Sequence, residues 1–208
     1  MGGIKQAWVV CAGLAVAALL TVQVGAAGQA PAAGAGQRAG GPPPPPPMTL
    51  TTSAFPDGGV IPIRYTQAGE QVSPELKWTN TPPGTASFVL HMHDPDVARN
   101  RTTEDQAHWV VWNIPASATG LPENVPKGAE LPDGTRQTSA TGPVYRGPGA
   151  PATGPLHHYT FEIFALDVKL DVPPGTDAFE TRALVLKAMQ GHVLGKAVYV
   201  GLFRRPPA

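Results

Sequence analysis

The segment Tyr159–Leu166 reads YTFEIFAL and is apolar on both of its faces. Tyr159, Phe161, Ile163 and Ala165 alternate onto one side, and Phe164 and Leu166 make half of the other side apolar as well. Such a strand does not suit a solvated sheet; it needs a packed layer against each face. Ser87–Met92 (SFVLHM), Trp109–Ile114 (WVVWNI) and Ala197–Phe203 (AVYVGLF) are also rich in β-branched and aromatic residues and read as strands. Weaker strand signals lie at Met48–Thr52 and Ile61–Tyr65. Turns are predicted at Pro56-Asp57-Gly58-Gly59, Pro82-Pro83-Gly84, Pro132-Asp133-Gly134 and Pro173-Pro174-Gly175. With 24 Gly and 25 Pro in 208 residues, nearly a quarter of the chain interrupts regular structure, which argues against a helical bundle.

One helix is signalled. Asp177 can cap its start, with Glu180 three residues later, and Gly191 is a natural stop. Phe179, Ala183, Leu186 and Gln190 run along one side, and Leu184 and Met189 widen the apolar face. The expected fold is an all-β sandwich with a single late helix on an edge or end.

Residues 1–27 have the pattern of a secretory signal: Lys5, an apolar run from Ala7 and a small-residue ending at Gly25, Ala26 and Ala27. The rival reading is an uncleaved anchor, since about twenty apolar residues can just span a bilayer. Cys11, the only cysteine, follows Trp8-Val9-Val10 and lacks the small residue and long apolar stretch of a lipoprotein signal. Cleavage would leave a periplasmic or secreted protein with no thiol chemistry, no disulfide and no stable membrane insertion. Residues 28–47 (GQAPAAGAGQRAGGPPPPPP) form a low-complexity linker, and residues 48–208 form one domain. Lys plus Arg and Asp plus Glu are 15 each. A chain with zero net charge and no basic cluster is a poor nucleic-acid binder.

Polar residues with chemical potential cluster in three places: His91-Met92-His93-Asp94-Pro95-Asp96, His108, and Tyr145–Pro151 with His157-His158-Tyr159. His91 and His93 alternate onto one strand face, a spacing that can chelate zinc or copper. With no HExxH and no usable cysteine, no metal and no cofactor is expected. Each segment alone also reads as an ordinary strand end or turn.

Taken in order, Asp94-Pro95-Asp96, His108-Trp-Val-Val-Trp-Asn113-Ile-Pro115, Tyr145-x-Gly147-Pro148 and His157-His-Tyr159 resemble the signature of the phosphatidylethanolamine-binding protein family, also called Raf-kinase-inhibitor-like, in its bacterial and archaeal branch. The likeness runs from about Met48 to Phe203. It implies a Greek-key β-sandwich with one C-terminal α-helix and short peripheral helices. It also implies a small anion pocket on Asp94, His108, His157 and Tyr159, with Tyr145, Gly147 and Pro148 as one wall. In such a pocket the imidazoles and the Tyr159 hydroxyl donate to an anion, Gly147 exposes backbone amides, and Asp94 either orients a histidine or binds an ammonium or hydroxyl of the ligand. Val97 and Ala98 depart from the family pattern, and Arg146 points either at the anion or at solvent.

The function these residues imply is exported, non-catalytic binding of a small phosphorylated or otherwise anionic ligand. Two alternatives remain open at this level. One is inhibition of a serine peptidase partner. The other is a hydrolase using His and Asp or a metal, although no nucleophile motif is present.

Overall fold

The structure, a computed structural model, describes residues 46–207; the expected export signal and nearly all of the linker lie outside the described residues. Among the described residues, nine strands and one helix follow in chain order: β1 (Thr49–Thr51), β2 (Gly59–Val60), β3 (Leu76–Thr79), β4 (Ser87–Asp94), β5 (Gln106–Pro115), β6 (Gly120–Leu121), β7 (Arg136–Thr138), β8 (His157–Leu166), α1 (Ala178–Ala188) and β9 (Val193–Phe203). Short 3-10 turns occupy Ile63–Tyr65 and Arg99–Arg101.

The larger sheet has the order β2-β9-β8-β4-β5-β7, and a smaller sheet has the order β1-β3-β6. Within the larger one, β8 returns across a long connection to lie beside β4, so the run β8-β4-β5-β7 is a Greek key. Its central strands are buried on both faces. On the inner face Phe88, Leu90, Met92, Trp109, Tyr159, Phe161 and Ile163 pack against Leu50, Leu76 and Trp78 of the smaller sheet. On the outer face Val89, Val110, Trp112 and Leu166 pack under Val185 and Met189 of α1. The two-faced apolar pattern of β8 thus corresponds to two separate cores.

Two local expectations are corrected. Ile61–Tyr65 is not a strand: Ile61 N–H makes the last ladder bond, to Leu202 O at 2.8 Å, and Pro62 then starts a 3-10 turn. Proline has no N–H to continue a ladder. The helix covers the outer face of the sheet instead of an edge, and its buried stripe is Ala178, Thr181, Val185 and Met189. Thr181 can be buried because its hydroxyl donates to Asp177 O at 2.7 Å. Leu184 is 54% exposed, and Phe179 lies under the Arg99 guanidinium, 3.4 Å from the ring centre. Asp177 caps the helix as expected, its Oδ1 accepting from Phe179 and Glu180 N–H at 2.7 and 3.0 Å.

Two irregularities in β5 shape the site. Met92 pairs with Trp109 and His93 with Ala107, so His108 is the extra residue of a β-bulge. A bulge turns two successive side chains towards one side. His108 therefore joins Trp109 on the inner face, where strict alternation would exclude it. The second irregularity lies near Asn113, which has φ +57°. Its side chain is tied to Leu170 by two hydrogen bonds: Nδ2 donates to Leu170 O at 3.0 Å, and Oδ1 accepts from Leu170 N–H at 2.8 Å.

Candidate functional site

Antiparallel pairing brings the end of β4 beside the start of β8. Asp94 and His157 meet there on the inner side of the sheet, and the bulge adds His108. Together with Tyr159, Gln67, Gln106 and Arg146 they line a cavity of about 190 Å³. Val97 and the chain Gly149–Pro151 complete its wall.

Asp94 is 2% exposed. Its Oδ2 accepts from His157 Nδ1 at 2.8 Å, and its Oδ1 accepts from Asp96 N–H at 3.0 Å. With a carboxylate facing Nδ1, the His157 ring carries a proton there. His108 is arranged alike. Its Nδ1 donates to Arg146 O and Gly147 O at 3.0 and 3.1 Å, leaving Nε2 with a lone pair. Burial, aided by the nearby Arg146 charge, pulls its pKa down to about 4 against the carbonyls and Asp94, which favour the charged form. His108 is therefore neutral at pH 7.

Tyr159 lines the cavity as expected, but its hydroxyl is also engaged by the loop. Its hydroxyl oxygen accepts the N–H groups of Gly149 and Ala150 at 3.0 and 2.9 Å. Burial raises its pKa to about 12, with a further contribution from Asp94, so the phenol keeps its proton. Its ring stands edge-on to His108 at 5.0 Å. The hydroxyl thus anchors the loop as well as lining the cavity.

Tyr145, Gly147 and Pro148, expected as a wall, do not line the cavity. Tyr145 is buried against Trp109 in the inner core, and its hydroxyl donates to Tyr65 O at 2.9 Å. Pro148 O accepts from Gln67 N–H at 2.9 Å, and Gly147 O accepts from Gln67 Nε2 at 2.7 Å. Gly147 is needed for close approach, since a Cβ there would stand 2.5 Å from Tyr65 O. These three residues clamp the loop to the Tyr65–Gln67 segment. Gly147 contributes a carbonyl to His108, where amides aimed at an anion were expected. Gln67 carries no local sequence signal; its role depends on a contact 80 residues away.

Arg146 is the cation of the cavity. Its Nη1 is buried and has no hydrogen-bond partner among the described residues. Asp94, Asp96 and His157 bring donor atoms within 4.8 Å of one another. Each oxygen of Asp94 and the Nδ1 of His157 already takes part in a hydrogen bond described above. Asp96 Oδ2 accepts from His158 N–H at 2.6 Å. This trio therefore reads as a hydrogen-bonded frame.

On the outer face of the same strands lies a second polar cluster. His91 and His93 stack with ring centres 4.4 Å apart, and Glu162 of β8 stands directly opposite His91. His93 Nδ1 is bonded to Asp105, which also pairs with Arg182 of α1. Burial lowers the His93 pKa, but the Asp105 and Glu162 carboxylates outweigh it and raise it to about 9. Burial lowers the pKa of His91. Contacts with His91 and His93, then Lys196, hold Glu162 well below the usual carboxylate range.

Comparison with known proteins agrees with this architecture. The chain is 46% identical over 160 residues to a UPF0098 protein of Methanothermobacter thermautotrophicus, covering 76% of this chain and 99% of that one. It is 34% identical over 164 residues to the UPF0098 protein YbhB of Escherichia coli, covering 75% and 99%. Among solved structures, a phosphatidylethanolamine-binding protein homologue from Chlamydia trachomatis superposes with a TM-score of 0.64 at 30% identity, covering 76% of this chain and 98% of that one. YbcL of E. coli gives 0.62 at 26% identity, covering 76% and 98%. The family profile described as phosphatidylethanolamine-binding protein matches residues 51–204, and the chain belongs to that family.

Proposed function

We propose that the domain is an exported, non-catalytic binding module for a small oxyanion that carries one proton, such as phosphate or a phosphoester headgroup. The observation that carries this reading is the pairing, in one cavity, of a half-buried Arg146, whose buried Nη1 has no hydrogen-bond partner among the described residues, and two imidazoles whose Nδ1 atoms are already hydrogen-bonded. Arg146 supplies charge to an anionic oxygen. His108 offers an acceptor, so the ligand atom facing it must be a donor: a P–OH, a hydroxyl or an ammonium. Asp94 lines the same cavity and is held there by hydrogen bonds from His157 and the Asp96 amide. A cavity of about 190 Å³ suits a headgroup, being smaller than the roughly 300–1,000 Å³ of drug-sized sites. None of the lining residues is Ser, Thr, Cys or Lys, which supports binding over covalent catalysis. The apolar, small-residue-terminated start of the chain supports export.

Phosphate and sulfate separate this proposal from a generic anion hole. At pH 6.5 much of the phosphate carries two protons and can donate to His108 Nε2. Sulfate carries none, so its oxygen would face a lone pair. Leaving that acceptor unmet costs about 1–3 kcal/mol, roughly 5- to 150-fold in affinity. Protonating His108 instead costs about 3 kcal/mol at this pH, given its pKa of about 4. Phosphate should therefore shift the ring resonances of His108 and His157 at millimolar concentration, with sulfate at least about fivefold weaker. Equal or tighter sulfate binding, or no response to phosphate in folded protein, defeats the proposal. Turnover of p-nitrophenyl phosphate that is lost in His108→Gln would replace it with a hydrolase.

A further inference from the structure

The cluster on the outer face of the sheet has no part in the anion cavity. His91 and His93 project from that face of β4, and Glu162 projects from the neighbouring antiparallel strand in register with His91. Glu162 Oε2 lies 3.6 Å from His91 Nδ1 and 3.4 Å from His93 Nε2. Neither distance makes a good hydrogen bond. Around a tetrahedral zinc ion with bonds of about 2.0–2.1 Å, donor atoms stand roughly 3.3–3.5 Å apart. We propose that His91, His93 and Glu162 form a binding site for a zinc-type divalent cation.

The surroundings orient the three donors. Asp105 accepts the Nδ1 proton of His93, which leaves Nε2 as the ligand atom, and Arg182 holds Asp105 in place. A carboxylate behind a histidine is the usual support of a metal-bound imidazole. Lys196 donates to Glu162 Oε1 at 2.7 Å, which leaves Oε2 for the two rings. His91 is 3% exposed, and its Nε2 and that of His93 are buried without hydrogen-bond partners. A polar ring nitrogen in that state is costly, and coordination would satisfy the Nε2 of His93.

Two features oppose a cation, and both fit the proposal. Arg182 and Lys196 are positive, but each faces a carboxylate of the cluster. The rings stack within 4° of parallel, so closing on one ion needs each to turn about χ2, a soft torsion for imidazole. His93 and Glu162 keep 14% and 17% of their side chains exposed, enough for a water to complete the coordination. The geometry is thus two histidines and a glutamate with one open position, a donor set used for zinc.

The test uses full-length protein stripped with chelator and titrated with zinc sulfate in a phosphate-free buffer. Calorimetry should give one site per chain with a Kd in the micromolar range or tighter. The ring resonances of His91 and His93 should move while those of His108 stay. Glu162→Gln and His91→Phe should each weaken zinc at least about tenfold. Asp94→Asn and His157→Gln should leave zinc affinity unchanged, because they belong to the other face. If the first pair fails to fold, cobalt in the unaltered protein decides. Visible bands of four-coordinate cobalt, with broadening confined to His91 and His93, support the site. No binding at millimolar zinc, or broadening centred on His157, overturns it. Because phosphate is omitted, either result leaves the anion proposal standing or falling on its own test.

Discussion

Tyr159→Phe removes one oxygen atom and no charge, yet it should destabilise the protein clearly. That oxygen accepts two backbone amides, Gly149 N–H at 3.0 Å and Ala150 N–H at 2.9 Å. The Ala150 amide is buried, and that of Gly149 is partly so. A buried amide left without an acceptor costs about 1–3 kcal/mol, and a partly wet one less. The two together give a loss of about 2–4 kcal/mol, or roughly 5–15 °C in Tm for a domain of this size. The aromatic ring stays, so its packing against His108 is retained. Denaturant unfolding of the wild type and the variant gives the energy. Hydrogen exchange gives the location: protection should fall at Gly149 and Ala150 before it falls in β8. A change below about 0.5 kcal/mol, or faster exchange spread evenly over the sheet, would refute the claim that this hydroxyl anchors the loop.

Three further outcomes follow from the same geometry. Gly147→Ala puts a Cβ 2.5 Å from Tyr65 O, so it should cost about 1–3 kcal/mol and weaken phosphate binding as the His108 acceptor shifts; an unchanged melting curve would contradict this. Asn113→Ala loses both bonds to Leu170 at a position with φ +57°, and a loss of about 2–4 kcal/mol is expected in denaturant titrations. Acid should destabilise the protein through His108. Its folded pKa is about 4 against about 6.5 unfolded, so the unfolded chain binds the extra proton and stability falls as pH drops from 6.5 to 4, by roughly 3 kcal/mol in all. His93 acts in the opposite sense. Its folded pKa of about 9 gives stabilisation that is complete below 6.5 and lost as pH rises through 9. Denaturation midpoints from pH 4 to 10 should therefore peak near neutrality, with His108→Gln flattening the acid limb and His93→Gln the alkaline one.

Much of the sheet was legible because β8 shows its burial on both faces within ten residues. The ordered motifs around Asp94, His108, His157 and Tyr159 marked segments that the fold does bring to one cavity. What escaped depends on long-range register. Period-two alternation sends His108 to the outer face, and only the slip between Met92 and His93 on the partner strand returns it. The family resemblance placed Tyr145 in the pocket wall, but its ring fills the core beside Trp109. The true helix stripe was hidden by Thr181, whose hydroxyl is satisfied within its own first turn. Glu162 read as an ordinary polar position in a strand, since nothing local tells which residue of β4 it will face.

The two cores give the domain a built-in optical readout. Trp78 and Trp109 sit in the inner core, with Trp109 Nε1 donating to Gln137 Oε1 at 2.8 Å, whereas Trp112 lies beneath the helix and donates to Val172 O at 2.9 Å. Peeling the helix from the sheet would wet the Trp112 indole and leave those of Trp78 and Trp109 dry. Emission would then shift to the red in two steps, and single-tryptophan variants would say which layer comes apart first.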